Sequence, residues 1–475
     1  MLKTIIKKEI QNNIFSFRFL TSFALLLIIV TVTIFILTND YLKKIDEYSQ
    51  RQTEIENYMK NYAHFNRIGN ILQATQPPIP FYSLIRGLSS DVNVEDFDDD
   101  PLPVIFPLID LVFIVTILMS LVALILSYDS VCGEKEDGTL KLMLSNGFSR
   151  SKAILGKISG GVLTLLIPFV FSLVVGLLII ALQPRVSWKG ADWGALGLIV
   201  AGSMFYFGFF YCLGTFISSR HHASSSSIMT SLFVWVLLVL IIPNLSPYLA
   251  SFISPTPSRI SIDREAARLT DTERDDLGRK LMKEKLEELV KKYPVLAENL
   301  PEAEIKDRVA RDPAYRDAYE ARTREVQAAW DEANRIQGEK ARAIWREMER
   351  KEAAQAELSS YISMLSPLSD FTYLATDLSS TGVRNEAHFG RIREMWGRAF
   401  RDYQRQKIEG LQKQNPAVDW WNTAVDMSER PRFNYQEEGL GGRVKATLPA
   451  FAVLFIFNLI LFSAAYFSFI KYDVR

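Results

Sequence analysis

The sequence predicts an all-α integral membrane protein with six transmembrane helices and a helical extracytoplasmic domain. The first observation is that several windows of about 20 residues carry no charge, which is the length an α-helix needs to cross a bilayer. The second is charge segregation. Lys and Arg (54) balance Asp and Glu (54), but the charges concentrate in residues 255–445. This segregation, rather than the neutral total, separates membrane segments from a water-exposed domain.

Six apolar segments are long enough to cross the membrane as helices. The predicted spans are 17–38, 104–128, 158–182, 193–218, 228–253 and 446–470. A cleaved signal peptide has a shorter apolar core and a cleavage site of small residues, so the first segment is interpreted as a retained span.

The distribution of Lys and Arg predicts that both termini are cytoplasmic. Residues 129–157 then form a cytoplasmic loop, whereas 39–103 and 255–445 are extracytoplasmic. Residues 1–16 place Leu and Ile near one face and Lys near another. They predict an interfacial helix in contact with membrane lipid, although a frayed basic tail also fits the pattern.

Residues 255–445 are mostly helical by pattern. One helix is predicted up to Pro294, and a longer apolar stripe begins at Pro313. This stripe fits either one long helix or a hairpin that breaks near Gly338. A third helix is predicted over 386–414. Acidic residues interleave with the basic ones, which argues against nucleic acid; we expect the domain to bind an extracytoplasmic partner protein or to cap an exit path.

Motifs for catalysis are missing from the sequence. "LGKIS" contains Gly and Lys but neither the upstream glycine nor the adjacent hydroxyl residue of a phosphate-binding loop. There is no H-E-x-x-H, and the chain has four histidines. His221 and His222 adjoin in a short loop and offer too few ligands for a metal site. The sequence therefore predicts a non-enzymatic chain that binds no cofactor or metal of its own.

Two features inside spans are candidates for function. Asp110 is the ionisable residue well inside a predicted span, and such residues mark either a pathway or a packing contact. Pro243 and Asn244, followed by Pro247, are expected to kink or end the fifth span. A gating hinge and a helix that simply stops at the membrane surface are both consistent with this pattern.

The cytoplasmic loop contains "GEKEDGTLKLMLSNGFSRSKAILGK", residues 133–157. Leu140, Met143 and Leu144 follow i, i+3, i+4 spacing, which predicts a short helix whose apolar face enters a groove of a partner. Gly147 is expected to end this helix. Ser149 is expected to cap a second helix that leads into the third span.

This stretch resembles the signature of type-2 ABC transporter permeases, which runs approximately E-x-x-x-G-T-L, then S-R, then G-K. The matching residues are Glu134, Glu136, Gly138, Thr139, Leu140, Ser149, Arg150, Gly156 and Lys157. In that family the segment is a coupling helix seated in a separate ATP-hydrolysing subunit. The resemblance implies two ATPase subunits that use ATP and Mg²⁺, a second permease copy or paralogue, and exporter-like transport.

Two departures accompany the resemblance. Gly147–Phe148 replaces the usual proline before the Ser-Arg pair. The insert between spans five and six is similar to that of a subgroup with a large extracytoplasmic helical domain, in which "LSPLSDFTYLATDLSSTG" (365–382) also recurs. A non-transporting scaffold that passes motion to an envelope partner is the alternative function.

The resemblance also suggests roles for individual side chains. Leu140, Met143 and Leu144 are expected to transmit the motion of the ATPase subunits. Glu134 and Glu136, with Arg150 opposite, are expected to hold the loop in a charge-assisted network. Arg150, Lys152 and Lys157 are expected to anchor the start of the third span at an anionic leaflet.

Overall fold

A computed structural model gives the fold. It describes residues 2–61, 63–87, 109–145, 149–298, 300–415 and 418–471, without the side chains of 61, 70, 143–145 and 303. The chain forms two compact units. The first comprises Met1–Pro243 and Ser363–Arg475, and the second comprises Asn244–Ile362.

The described part of the chain is helical except for one pair of two-residue strands, β1 and β2, which are antiparallel. The helices up to the fourth span are α1 Leu2–Ile14, α2 Phe17–Asn61, α3 Phe65–Ile71, α4 (Leu111–Phe113, Ile114–Met119 and Ser120–Ser127), α5 Cys132–Glu136, α6 Thr139–Ser145, α7 Arg150–Ala181 and α8 Gly190–Ser218. Strands β1 Ala63–His64 and β2 Ala424–Val425 pair with each other.

The remaining helices follow the fourth span. They are α9 (Ser224–Trp235, Val236–Ile241 and Ile242–Ile253), α10 (Arg259–Arg268, Leu269–Glu273 and Arg274–Lys292), α11 Glu302–Arg311, α12 Pro313–Ser363, α13 Pro367–Leu378, α14 Val383–Gln414 and α15 Leu440–Ile470. Short 3₁₀ turns cover Pro80–Ser83 and Pro294–Ala297. The middle pieces of α4, α9 and α10 are π-helical turns.

Six helices are long and apolar enough to cross a membrane, which confirms the predicted all-α membrane architecture. These helices are Phe17–Lys60, Leu111–Glu136, Arg150–Ala181, Gly190–Ser218, Ser224–Ile253 and Leu440–Ile470. The fourth is largely buried, and it carries a run of buried aromatic residues: Tyr206, Phe207, Phe210 and Tyr211.

The first helix differs from the prediction, which ended span one at residue 38. α2 continues to Asn61, so the first part of the predicted loop 39–103 is helical. No Pro or Gly interrupts 17–61, and Ile55 and Met59 provide a second apolar face beyond the membrane segment. That face packs with Phe400 and Met427 in a small cluster. Residues 88–108, which include the predicted start of span two, lie outside the described part.

The structure also divides the predicted domain 255–445. The second unit contains α10, α11 and most of α12, and α12 runs through Gly338 as one helix of 51 residues. The later segment, from Ser363, belongs to the first unit. There α13 packs against α8 and α15. With only 12 residues, α13 is too short to be read as a span, but Phe371, Leu374 and Leu378 are buried in the main core.

Candidate functional site

The segment 133–157 forms two short helices and the start of a span. α5 ends at Glu136, and Gly138 separates it from α6 with a positive φ of 72°, a conformation that glycine adopts without strain. α7 begins after Ser149, whose hydroxyl accepts a hydrogen bond from the Lys152 N–H at 3.4 Å. The predicted cap at Ser149 is therefore present. Residues 146–148, where Gly147 was expected to end the first helix, lie outside the described part.

Lys157 is the centre of a buried ionic cluster. Its Nζ atom lies 2.9 Å from Oε1 of Glu9 and 2.8 Å from Oε1 of Glu134. The lysine is 1% exposed. Charges at that depth remain ionised only with close partners of opposite sign. The cluster joins α1, α5 and α7, so Lys157 holds three helices together instead of anchoring the span at lipid as predicted.

α1 lies directly on α7 at two glycines. A Cβ atom at Gly156 would come within 2.4 Å of Ile5 Cγ2, and one at Gly160 within 2.7 Å of Glu9 Cβ. Glycines four residues apart let two helix backbones approach closely, as small residues do in membrane helix pairs. The interfacial helix predicted for residues 1–16 is thus a helix, Leu2–Ile14, and it is packed on the third span.

The two acidic residues of the loop have different partners from those predicted. Glu134 pairs with Lys157, whereas Glu136 accepts hydrogen bonds from the N–H (3.1 Å) and the hydroxyl (2.5 Å) of Ser224. Ser224 is the first residue of α9, so Glu136 caps the fifth span from another helix. Arg150 donates instead to the Ile470 carbonyl at the end of α15. The predicted network of both carboxylates around Arg150 is therefore wrong.

The backbone and hydroxyl groups of the loop make further contacts. The N–H groups of Val131 and Cys132 donate to Ser218 Oγ, at 3.0 and 3.1 Å, at the end of α8. Thr139 donates its hydroxyl to the Glu134 carbonyl at 3.2 Å, across the turn at Gly138. The loop between spans two and three thus contacts α1 and the ends of four spans, α7, α8, α9 and α15.

The apolar face of α6 differs from the helical-wheel prediction. Leu140 is 1% exposed and belongs to the main core, so it holds α6 onto the bundle. Leu142 points outward and is 65% exposed. The side chains of Met143 and Leu144 lie outside the described part. Among the α6 side chains that the structure describes, Leu142 is the exposed apolar one.

A chain of hydrogen bonds crosses the interior of the bundle. The Tyr206 hydroxyl of α8 donates to the Thr116 carbonyl at 2.8 Å, and Ser120 Oγ donates to the same carbonyl at 2.6 Å. Trp235 of α9 donates its indole N–H to Ser120 Oγ at 2.8 Å. Thr116 lies in the π-helical turn of α4. Where the regular helix pattern is interrupted in a membrane, side-chain donors of this kind satisfy the backbone.

A second π-helical turn, Val236–Ile241, precedes Pro243 in α9. The i→i−5 bond to the Leu238 carbonyl would come from the nitrogen of Pro243, which has no hydrogen. The Ser366 hydroxyl of α13 supplies a donor to that carbonyl at 2.5 Å. The helix does not end at Pro243 or Asn244, because α9 continues to Ile253. The π-helical turn lies just before the prolines that were expected to kink or end the span.

Asp110 begins α4 as its N-cap. One carboxylate oxygen accepts the N–H of Phe113 at 2.8 Å, and the other accepts the N–H of Arg86 at 3.2 Å. This position supports the packing alternative for Asp110, since the side chain closes the helix start onto the 84–87 loop. Gly87, with φ of 84°, allows that loop to lie against Thr381.

The described residues contain no group of side chains that could form a metal site. None of their His, Cys, Asp and Glu side chains form a group of three or more that could hold a metal ion. Cys132 and Cys212 are free and buried. The 133–157 loop, which contacts α1 and four spans, is therefore the candidate functional site.

Comparison with known protein families confirms that the chain is an ABC transporter permease. The family model described as ABC-2 family transporter protein matches residues 3–474. The chain belongs to this family. The permease is also similar to the probable ABC transporter permease protein NosY of Pseudomonas aeruginosa, with 35% identity over 127 residues, which are 26% of this chain and 46% of that relative. The protein of the same name from Stutzerimonas stutzeri is 33% identical over 126 residues, again 26% and 46% of the two chains.

These matches cover about half the length of the curated relatives. Together with the six apolar helices they establish a multi-pass ABC transporter permease. Sequence reasoning missed Glu9 and Gly160 as parts of the site, and it named Gly156 only as a residue of the family signature. The spacing of Gly156 and Gly160 on one helix face was a usable signal for close helix packing. Glu9 had no such signal, since its partner is 148 positions away.

Proposed function

We propose that the permease transmits ATP-driven motion from two separate ATPase subunits to its spans, with α6 as the coupling helix. The observation that carries the proposal is the division of α6 between the buried Leu140 and the exposed Leu142. A helix with one side fixed in the core and an apolar side chain on the other side suits insertion into a groove. Glu134, Glu136, Arg150 and Lys157 then serve to fix this helix to the spans.

The contacts of the loop support transmission as a rigid body. A push on α6 reaches α7 and α1 through the Lys157 cluster, α9 through Glu136 and Ser224, and α15 through Arg150. The contacts of Glu136 with Ser224 and of Arg150 with Ile470 lie at helix ends, and the Lys157 cluster lies within the first turns of α7. Packed interiors deform little, so force applied there moves whole helices.

The remaining parts of the proposal follow from the family and the charge pattern. The permease lies in the bacterial inner membrane with cytoplasmic termini, pairs with a second copy or a paralogue, and works in an exporter-like direction. Phe15 and Phe17, both exposed between α1 and α2, contact membrane lipid. The chain binds no cofactor, and ATP and Mg²⁺ are used by the ATPase subunits.

The test is a pair of Leu→Asp substitutions at exposed positions. Leu142→Asp is expected to abolish the ATPase activity that co-purifies with the tagged permease from its native host, because a carboxylate is not accepted in an apolar groove. Leu182→Asp, at the other end of the third span and 78% exposed, is the matched control and keeps the activity. Co-purified ATPase unaffected by Leu142→Asp would contradict the coupling role of α6.

A mechanical function is the second candidate, in which the second unit acts on an extracytoplasmic partner protein. The supporting observation is that Asn244–Ile362 forms a compact unit that includes nearly all of the 51-residue helix α12. Transport requires ATP-dependent flux in proteoliposomes containing the whole complex. If the function is mechanical, we expect ATP to change the hydrogen exchange of α12 in the same proteoliposomes while no flux is measured.

A further inference from the structure

Asp370, in the first turn of α13, is a buried carboxylate without a partner. The residue is 0% exposed, and neither carboxylate oxygen has a hydrogen-bond partner among the described residues. A buried carboxylate that is ionised and unpaired is strongly disfavoured. The group therefore has to be neutralised by a bound cation.

The charged and titratable groups on the elements around α13 are engaged elsewhere. α13 packs against α8, α15, α14, the start of α4 and the π-helical turns of α4 and α9. These elements carry Tyr206, which donates to Thr116; Asp192 and Arg443, which face each other at 3.8 Å; Arg384, which pairs with Glu438; and Asp110, which caps α4. Within α13 itself, Tyr373 contacts Ser363, and Asp377 lies near Arg384.

The two guanidinium groups near α13, those of Arg443 and Arg384, lie at the C-terminal end of this helix, away from Asp370. Arg443 donates to the carbonyl of Leu378, the last residue of α13, at 2.9 Å. Arg384 follows just after that end. Asp370 is two turns earlier, so it receives no compensating charge from either guanidinium.

A proton is the cation that fits this position. A metal ion needs several oxygen ligands, and no group of three or more acidic, His or Cys side chains occurs in the described chain. The chain neighbour of Asp370, Phe371, belongs to the main core, which is built mainly of apolar side chains that offer no oxygen ligands. Burial raises the pKa of Asp370 to about 8, from the usual 3.8. A proton neutralises the carboxylate without further ligands.

The turn that carries Asp370 contacts both π-helical turns. Ser366, four residues earlier, donates to Leu238 in α9. Phe371, the next residue, lies with its ring centroid 5.4 Å from that of Tyr206, which donates to Thr116 in α4. A shift of the fifth span at its π-helical turn therefore reaches the first turn of α13 through Ser366. A shift of the second span reaches it through Tyr206 and Phe371.

We propose that Asp370 is a proton-binding site whose occupancy is linked to the seating of α13 between the second and fifth spans. While α13 is seated, the carboxyl group keeps its proton. When the spans move and water reaches the side chain, the O–H bond breaks, the proton passes to water and the carboxylate is solvated. Movement of these spans is then accompanied by the release of one proton.

Infrared spectroscopy of the full-length protein in detergent tests the bound proton directly. At neutral pH, the wild type is expected to show the carbonyl band of a protonated carboxylic acid, and Asp370→Asn is expected to lack it. Asp377→Asn is the matched control in the same helix, because burial raises the pKa of Asp377 only to about 6, with Arg384 opposing the rise. That variant keeps the band. The same spectrum for wild type and Asp370→Asn overturns the proposal.

The pH dependence of unfolding gives a second readout. With a folded pKa above the unfolded value, the folded state binds more protons, so stability falls as pH rises from about 4 to about 8 and is then constant. The difference in unfolding midpoint between wild type and Asp370→Asn should decrease across that window. A constant difference overturns the proposal, as does a midpoint that depends on Na⁺ or K⁺ at fixed pH.

If Asp370→Asn does not fold, a variant that keeps a carboxylic acid at position 370 provides the test. Asp370→Glu is expected to keep the carboxylic acid band at a shifted frequency. An unshifted band in Asp370→Glu would assign the band to another group and overturn the proposal. Neither readout involves an ATPase subunit, so the result is independent of the proposed coupling function.

Discussion

The Nζ atom of Lys157 lies 2.9 Å from Oε1 of Glu9, so the third span and the N-terminal helix share a buried ion pair. Glu134 contributes a second carboxylate at 2.8 Å. Glu134 belongs to α5, the helix that precedes α6, so Lys157 joins the N-terminal helix to the 133–157 loop. The buried carboxylate of Glu9, more than the basic residues of 1–16, therefore fixes the position of the N-terminal helix.

Replacing Lys157 with Met should destabilise the permease strongly. Two carboxylates would remain buried without a cation, and breaking a buried pair in this way costs about 3–5 kcal/mol. The measurement is the free energy of unfolding in mixed detergent micelles. Lys141→Met is the matched control, since Lys141 is exposed on α6.

The neutral triple variant provides the stricter version of this test. Combining Lys157→Met with Glu9→Gln and Glu134→Gln removes all three charges, so most of the lost stability should return. If Lys157→Met alone is as stable as the wild type, the cluster does not hold the helices together.

The close approach of α1 and α7 predicts a size limit at Gly160. Gly160→Ala puts a methyl group within 2.7 Å of Glu9 Cβ and 3.3 Å of the Ile6 carbonyl oxygen. Overpacking of this kind costs about 1–3 kcal/mol. We expect faster hydrogen exchange in Leu2–Ile14, because α1 is displaced from its seat.

Gly197→Ala is the control for this substitution. Gly197 lies in the fourth span, and a Cβ atom there meets nothing within 4 Å. Alanine favours a helix over glycine by about 1 kcal/mol, so this variant should be as stable as the wild type or more stable. Equal exchange in α1 for both variants would argue against the contact.

The six spans were predictable from sequence because the length of an apolar run is a local property of the chain. The end of α2 was not, because its second half is amphipathic and depends on packing with Phe400 and Met427. The burial of α13 in the bundle was not predictable either, because a helix of 12 residues is too short to resemble a span. The motif in 133–157 located the site, but the partners of Glu134 and Glu136 lie on distant helices and follow from packing alone.

Loss of the Tyr206 hydroxyl should weaken the packing of α8 on α4. In Tyr206→Phe the Thr116 carbonyl keeps Ser120 as a donor but loses the bond from the fourth span. The expected cost is about 0.5–1.5 kcal/mol, the net value of one hydrogen bond. Unfolding in micelles measures it, with Tyr248→Phe as the control because Tyr248 is exposed. Identical losses in the two variants would contradict a role for the interhelical bond.

The last prediction concerns the donor that Ser366 supplies to Leu238. In Ser366→Ala the carbonyl at the π-helical turn has no replacement from water inside the bilayer, so the cost should be about 1–3 kcal/mol. Pro243→Ala restores a backbone N–H five residues after Leu238, where the π-helical pattern needs it.

A double-mutant cycle decides whether these two residues satisfy the same carbonyl. Ser366→Ala should be costly in the wild type and nearly neutral in the Pro243→Ala background, because the new N–H takes over the acceptor. The measurement is the free energy of unfolding of the four proteins. Additive effects would mean that Ser366 stabilises α13 through its own N-cap bond to the Leu368 N–H, at 3.2 Å, and not through the fifth span. Coupling would instead establish that α13 replaces the bond that the proline removes from α9.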